Sequence, residues 1–241
     1  MILAPVQDDA FKALRAYLLS FLPSGVEVIQ AQVNRVPEPK GPDFVTMNAI
    51  RRERLETNVD DYDDASFTAV IAGTAMTVSA VVLGKLVAGA ALFGANLAAG
   101  SAIVSQTSGT PGGVGVYVVA PSQAVASQAM AAGLALLSQP TKVVVQLDVH
   151  GPNSGDNAQA ISTALRDDYA VFFFERNGYS AAPLYSEDPR QIPFINAEKQ
   201  YEDRWVIEAS LQVNPTLSLP QQFADQAVIT TINVEETYPQ E

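Results

Sequence analysis

Hydrophobic residues follow three different rhythms along this chain. Near the start, Phe11, Leu14, Leu18 and Phe21 or Leu22 recur at helical spacing, with Asp8 or Asp9 placed to cap and Pro23 just beyond; this predicts a docked helix. "GVEVIQAQV" then predicts a strand with Val26, Val28, Gln30 and Gln32 on one face, followed by a proline-rich extended excursion, "RVPEPKGP". "DFVTMNAIRRERLETNV" reads as one or two further β segments. In "TKVVVQLDVHG", Val143, Val145, Leu147 and Val149 alternate with Val144, Gln146 and Asp148, and the first half is apolar on both faces, as a central strand should be. A second helix is expected from Ser154 or Asp156 to Asp168, striped by Ala158, Ile161, Leu165 and Tyr169, with "AVFFFE" continuing it or turning into the next segment. "SEDPRQIPFINAEKQYEDRW" reads as a long loop with extended parts. Trp205, Ile207, Ala209, Leu211 and Val213 mark one face of a later strand, "LPQQFADQAV" a short helix with Pro220 near its start, and "AVITTINVEE" a closing strand.

The third rhythm is the near-continuous apolar run "AMTVSAVVLGKLVAGAALFGANLAAGSAIV", residues 75–104. Its length permits a membrane span, since a bilayer core takes about 20 apolar residues. Thr77, Ser79, Gly84, Lys85, Gly89, Gly94, Asn96 and Gly100 interrupt it, and its flanks lack the basic asymmetry that orients a span. The glycines are expected to separate short strands, among them Val116 to Val119, in a small meander or sandwich with no membrane contact.

Charge divides the chain sharply. Residues 66–133 hold one charged side chain, Lys85, while the rest carry 39 of the 40 Lys, Arg, Asp and Glu. Such a shift at both ends predicts a β-rich module, 66–133, inserted into a discontinuous host domain, 1–65 and 134–241. The host order gives an α+β fold, a mostly antiparallel sheet packed with helices and carrying an inserted all-β module. A net charge of −12 opposes binding to the outside of nucleic acid. The one basic cluster, Arg51, Arg52 and Arg54, is expected to pair with acidic neighbours. With no cysteine, the fold relies on its core or on assembly. The N-terminal segment lacks the basic start of a secretory signal.

Little here points to chemistry. His150, the sole histidine, ends a strand beside Asp148, but no G-x-S-x-G elbow supplies a nucleophile. A metal site would have one imidazole with Asp148 and Asp156. The plainer expectation is a histidine hydrogen-bonded at a strand end, with Ser154 or Asp156 capping the helix. "DDYDD" lacks the spacing of a calcium loop and reads as a solvated linker; "GTPGGVG" has no lysine after it and precedes a strand, unlike a phosphate loop. Neither a catalytic residue nor a cofactor or metal is expected.

Four segments carry a resemblance: "VTMNAIRRERLETNVDDY", "VVVQLDVHGPNSGDNAQAISTALRDDYA", "APLYSEDPRQIPFINAEKQYEDRWVIEASLQVNP" and "LPQQFADQAVITTINVEETYP". Together they resemble the neck or tail-terminator proteins of tailed bacteriophages, and 66–133 resembles glycine-rich β modules spliced into other phage structural proteins. The resemblance implies a non-enzymatic virion protein of the neck, made in the host cytoplasm. It would form a homohexameric ring that caps the tail tube, ends its polymerisation and meets the head–tail connector or collar protein, with a sheath protein as a further partner. DNA would pass through its channel without specific binding, repelled by acidic walls. Candidate contacts are Arg51, Arg52, Arg54, Asp188, Arg190, Lys199, Tyr201 and Arg204; the module is expected to decorate the ring's periphery. Two rival readings stay open. An adhesive or carbohydrate-binding module would expose Phe67, Phe93 and Tyr117. An enzyme would depend on His150 and Asp148.

Overall fold

The computed structural model describes residues 2–31, 39, 41–195 and 201–221. In chain order the elements are β1 (Ile2–Ala4), α1 (Gln7–Phe21), β2 (Glu27–Gln30), β3 (Phe44–Arg54), β4 (Val59–Gly84), β5 (Ala91–Phe93), β6 (Ala102–Gly109), β7 (Gly115–Ser138) and β8 (Thr141–His150). There follow α2 (Ser154–Leu165), α3 (Asp168–Arg176), β9 (Ala181–Ser186), β10 (Arg190–Gln191), β11 (Phe194–Ile195), β12 (Tyr201–Glu202), β13 (Arg204–Val213) and β14 (Thr216–Pro220). The chain divides into two compact units, one of residues 1–61 with 136–218 and one of 62–135 with the residues from Leu219. The predicted closing strand "AVITTINVEE" and most of "RVPEPKGP" lie outside the described residues.

In the first unit β8 is central, antiparallel to β3 on one side and β13 on the other. β9 and β10 share the outer edge of β13, and β2 lies parallel to β3, the exception in an antiparallel sheet. Val143, Val145, Leu147 and Val149 of β8 join Val45 and Met47 of β3 and Ile207, Ala209, Leu211 and Val213 of β13 in one core under the helices. Each wholly buried leucine there contributes about 2 kcal/mol. The face read for the Trp205–Val213 strand is thus the core face, with Trp205 partly buried at its end.

Local chemistry shifts several predicted boundaries. Neither Asp8 nor Asp9 is the first cap of α1: that position is Val6, and Asp9, a turn inside the helix, accepts the Val6 N–H at 2.9 Å. The second predicted helix breaks in two, because the Asp167 carboxylate caps a new start by accepting from the Tyr169 N–H at 2.8 Å. Ala158, Ile161 and Leu165 are buried as expected; Tyr169 falls on α3 and is half exposed. Pro220 ends a strand, a place where its missing N–H does no harm, and the predicted short helix from residue 222 on lies outside the described residues. The 186–204 loop contains β10, β11 and β12.

The second unit has a core of its own, with Phe67, Ile71, Met76, Ile103 and Tyr117 wholly buried. Its glycines separate the short strands β5 and β6, but β4 and β7 run 26 and 24 residues, β7 absorbs Val116–Val119, and "DDYDD" opens β4 rather than forming a linker. β4 nevertheless doubles back. In an unbroken strand rising about 3.3 Å per residue, Asp63 and Lys85 would stand roughly 70 Å apart, yet Lys85 Nζ is 3.0 Å from Asp63 Oδ1. Ser79 Oγ donates to the Thr68 carbonyl at 3.3 Å, and a Cβ on Gly84 would fall 1.7 Å from the Asp64 carbonyl oxygen. These contacts nest around Gly73, whose φ of 66° suits a reversal. β7 then pairs with β4, β5 and β6.

Candidate functional site

Because side chains alternate along a strand, residues of β3, β8 and β13 that do not face the helices form a second, polar face of the first sheet. Phe44, His150 and Arg204 stand in one cross-strand row, and Thr46, Asp148 and Val206 in the next. The His150 ring stacks on Phe44 with centroids 4.5 Å apart, and its Nδ1 lies 2.9 Å from Glu202 Oε1. Asp148 receives the Arg204 guanidinium through Nε at 3.1 Å and Nη2 at 2.6 Å, with Gln146 donating at 2.9 Å. Neighbouring strand-end residues thus serve two separate contacts, a hydrogen bond at His150 and an ion pair at Asp148. The helix beyond is capped by neither Ser154 nor Asp156: its cap is Asn153, whose backbone N–H and amide both donate to Asp43, at 2.9 and 2.8 Å. Ser154 Oγ is buried without a hydrogen-bond partner. Among the described residues no group of three or more carboxylates and imidazoles could hold a metal ion.

The arginine cluster is split by the pleat. β3 carries a bulge between Ala49 and Arg51, so Arg51 pairs across to Val144 and Arg52 to Val143 on opposite faces. Arg51 and Lys142 both reach Glu53 on the polar face. The hydrogen bond from Lys142, helped by the Arg51 charge, holds Glu53 below the usual carboxylate range, and Glu53 with Tyr185 pushes Lys142 up. Arg52 and Arg54 face the other way, donating to Gln7 at 2.9 Å and Asn58 at 3.2 Å. The expected acidic pairing therefore holds for Arg51, whereas Arg52 and Arg54 meet amides.

Of the other candidates, Asp188 pairs with Arg166 at 2.8 Å and Arg190 with Glu208 at 3.4 Å on the surface, and Tyr201 is 84% exposed. Arg204 is half-buried against Asp148. Lys199 lies outside the described residues. In the second unit, Asp63 of "DDYDD" pairs with Lys85, and burial, with the Asp63 charge behind it, raises the Asp64 carboxyl. "GTPGGVG" is a hairpin turn closed on itself, with Gln106 accepting from the Gly112 N–H at 3.0 Å and donating to the Thr110 carbonyl at 2.7 Å. Phe67 and Tyr117 are core residues and Phe93 is half-buried, so the aromatic platform of a sugar-binding surface is lacking on the first two. No described helix is long and apolar enough to cross a membrane.

Sequence reasoning missed Lys142, Glu53 and Tyr185 as a group, and Glu202 as the partner of His150. The alternation in β8 signals that Lys142, Gln146, Asp148 and His150 share a face; nothing in the sequence tells which strands bring the partners.

The fold is a two-unit α+β chain, and its class comes from comparison with known proteins. The sequence model of the phage neck terminator protein family matches residues 100–238, and the chain belongs to that family. The match begins inside the low-charge segment, so the family pattern takes in β6 and β7 as well as the later strands. It makes the protein a structural neck component of a bacteriophage virion. No curated protein matches the chain at a significant level.

Proposed function

We propose that the protein closes into a homohexameric ring that seats on the last ring of the tail tube, ends tube growth and offers its other face to the head connector or collar. Membership of the neck terminator family carries this reading. A ring needs unlike surfaces that meet by rotation, and the first unit offers charged edges at β3 and at β9–β12 as candidates. Its net charge of −12 suits a channel through which DNA slides, because acidic walls repel phosphate.

Residues 66–133 act in this reading as an inserted module that the ring does without. Entry and exit lie side by side, since a Cβ on Gly133 would sit 3.2 Å from Asp64 Oδ1, and the second unit has its own core. The test is the mass of the purified full-length protein, alone and with tail tubes, by light scattering and negative-stain microscopy. A hexamer, or a cap at one end of each tube, is the expected result; a monomer that ignores tubes overturns the reading.

A further inference from the structure

Two unlike patches of the first unit stand apart from its internal ion pairs. The first is Arg52 with Arg54, one face of the end of β3. Whereas Arg51, Arg166, Arg190 and Arg204 each meet a carboxylate, these two exposed guanidinium groups meet side-chain amides among the described residues, Gln7 for Arg52 and Asn58 with Gln139 for Arg54. The second is a shallow groove along α2 and α3, in two depressions that share Tyr169. Its floor exposes Tyr169 and Phe172, at 48% and 64%. Asp156 and Asp167 line one end, with the exposed Asp168 adjoining Tyr169 in the chain, and Arg176 lines the other.

The patches lie toward opposite ends of α1. Arg52 is bonded to Gln7, its first residue. Tyr169 packs 5.9 Å from the Tyr17 ring, about 15 Å further along the helix axis. A surface that is not self-complementary, with its complement displaced across the same subunit, produces head-to-tail contacts that repeat by rotation. In a chain with 26 acidic and 14 basic residues, copies meet against mutual repulsion unless cations sit where they touch.

We infer that the Arg52–Arg54 end of β3 in one copy docks against the acidic end of the Tyr169–Phe172 groove in the next, forming the repeating contact of the assembly. Tyr169 and Phe172 supply apolar area, while Asp167 and Asp168 set the register through the incoming arginines. The inference rests on the ring reading and says which faces build the ring.

Because the chain has no cysteine, introduced thiols report contacts without background. The full-length double variant Arg54→Cys/Asp168→Cys, treated with a short bismaleimide, should give a ladder of covalent multimers in denaturing gels, and either single variant should not. In parallel, Arg54→Glu should weaken association about 10-fold, and adding Asp168→Arg should restore it to within about 3-fold. Rings seen by light scattering without a ladder and without charge-swap rescue would overturn this contact and leave the ring reading standing. A monomeric mass at every concentration, with no ladder and no cap on added tail tubes, overturns both.

Discussion

The Tyr17 ring lies in a nest of aromatic rings, with Phe21, Phe173 and Phe174 centred 5.2–5.7 Å from its own centre, and its hydroxyl donates to the Ala164 carbonyl at 2.7 Å. Replacing it with phenylalanine keeps the packing and removes one hydrogen bond, so Tyr17→Phe should lower unfolding free energy by about 1 kcal/mol in urea titrations. Burial, with Tyr169 and Asp167 adding to it, holds this phenol far above its ordinary value of 10.0. The unfolded chain ionises there and the folded one does not. This contribution is therefore complete below pH 10.0 and declines as pH rises beyond it toward the folded value, a decline that Tyr17→Phe should reduce. Asp148 tests a different balance. Asp148→Asn removes the charge of the carboxylate that two nitrogens of the half-buried Arg204 bind and should cost about 2 kcal/mol by the same measurement, while Asp188→Asn, at a surface pair, should cost well under 1 kcal/mol.

At the scale of elements, the decisive facts are reversals and phase. Introduced together, Thr68→Cys and Ser79→Cys should form an intramolecular disulfide on mild oxidation, seen as a shift in non-reducing gels. An unbroken strand would hold those positions about 36 Å apart, and then no bond could form. The alternation in β8 and β13, and the stripe of α1, were legible because burial on one side imposes a period. The β4 reversal was not, since Gly73 looks like the other glycines of its segment until pairing shows where the chain turns. The phase of "RRER" was hidden for a related reason: one bulge residue at Ile50 decides which arginine faces which way, and a bulge leaves no periodic mark. The break between α2 and α3 was half visible, Asp167 being a good cap in a sequence that otherwise continues the apolar stripe.

For the whole molecule, the second unit begins four residues before the low-charge segment, and it also takes in the chain from Leu219, which the charge pattern assigned to the host domain. Replacing 66–133 with a short Gly-Ser linker should leave a chain that folds cooperatively and keeps the oligomeric mass of the full protein, checked by circular dichroism melting and light scattering. Loss of assembly in a folded deletion variant would instead make the module part of the ring. The family match gives that outcome weight, because it reaches back into β6 and β7.

Sequence alone determined what is periodic or compositional: the apolar faces of α1, β8 and β13, the α+β class, the neutral segment, and the family resemblance. Tertiary structure decided what depends on partners distant along the chain. It joined His150 to Glu202, Asp148 to Arg204 and Lys142 to Glu53, and gave Arg52 and Arg54 amide partners among the described residues. Period is imposed residue by residue through burial, whereas pairing depends on strand register, which a single reversal or bulge resets.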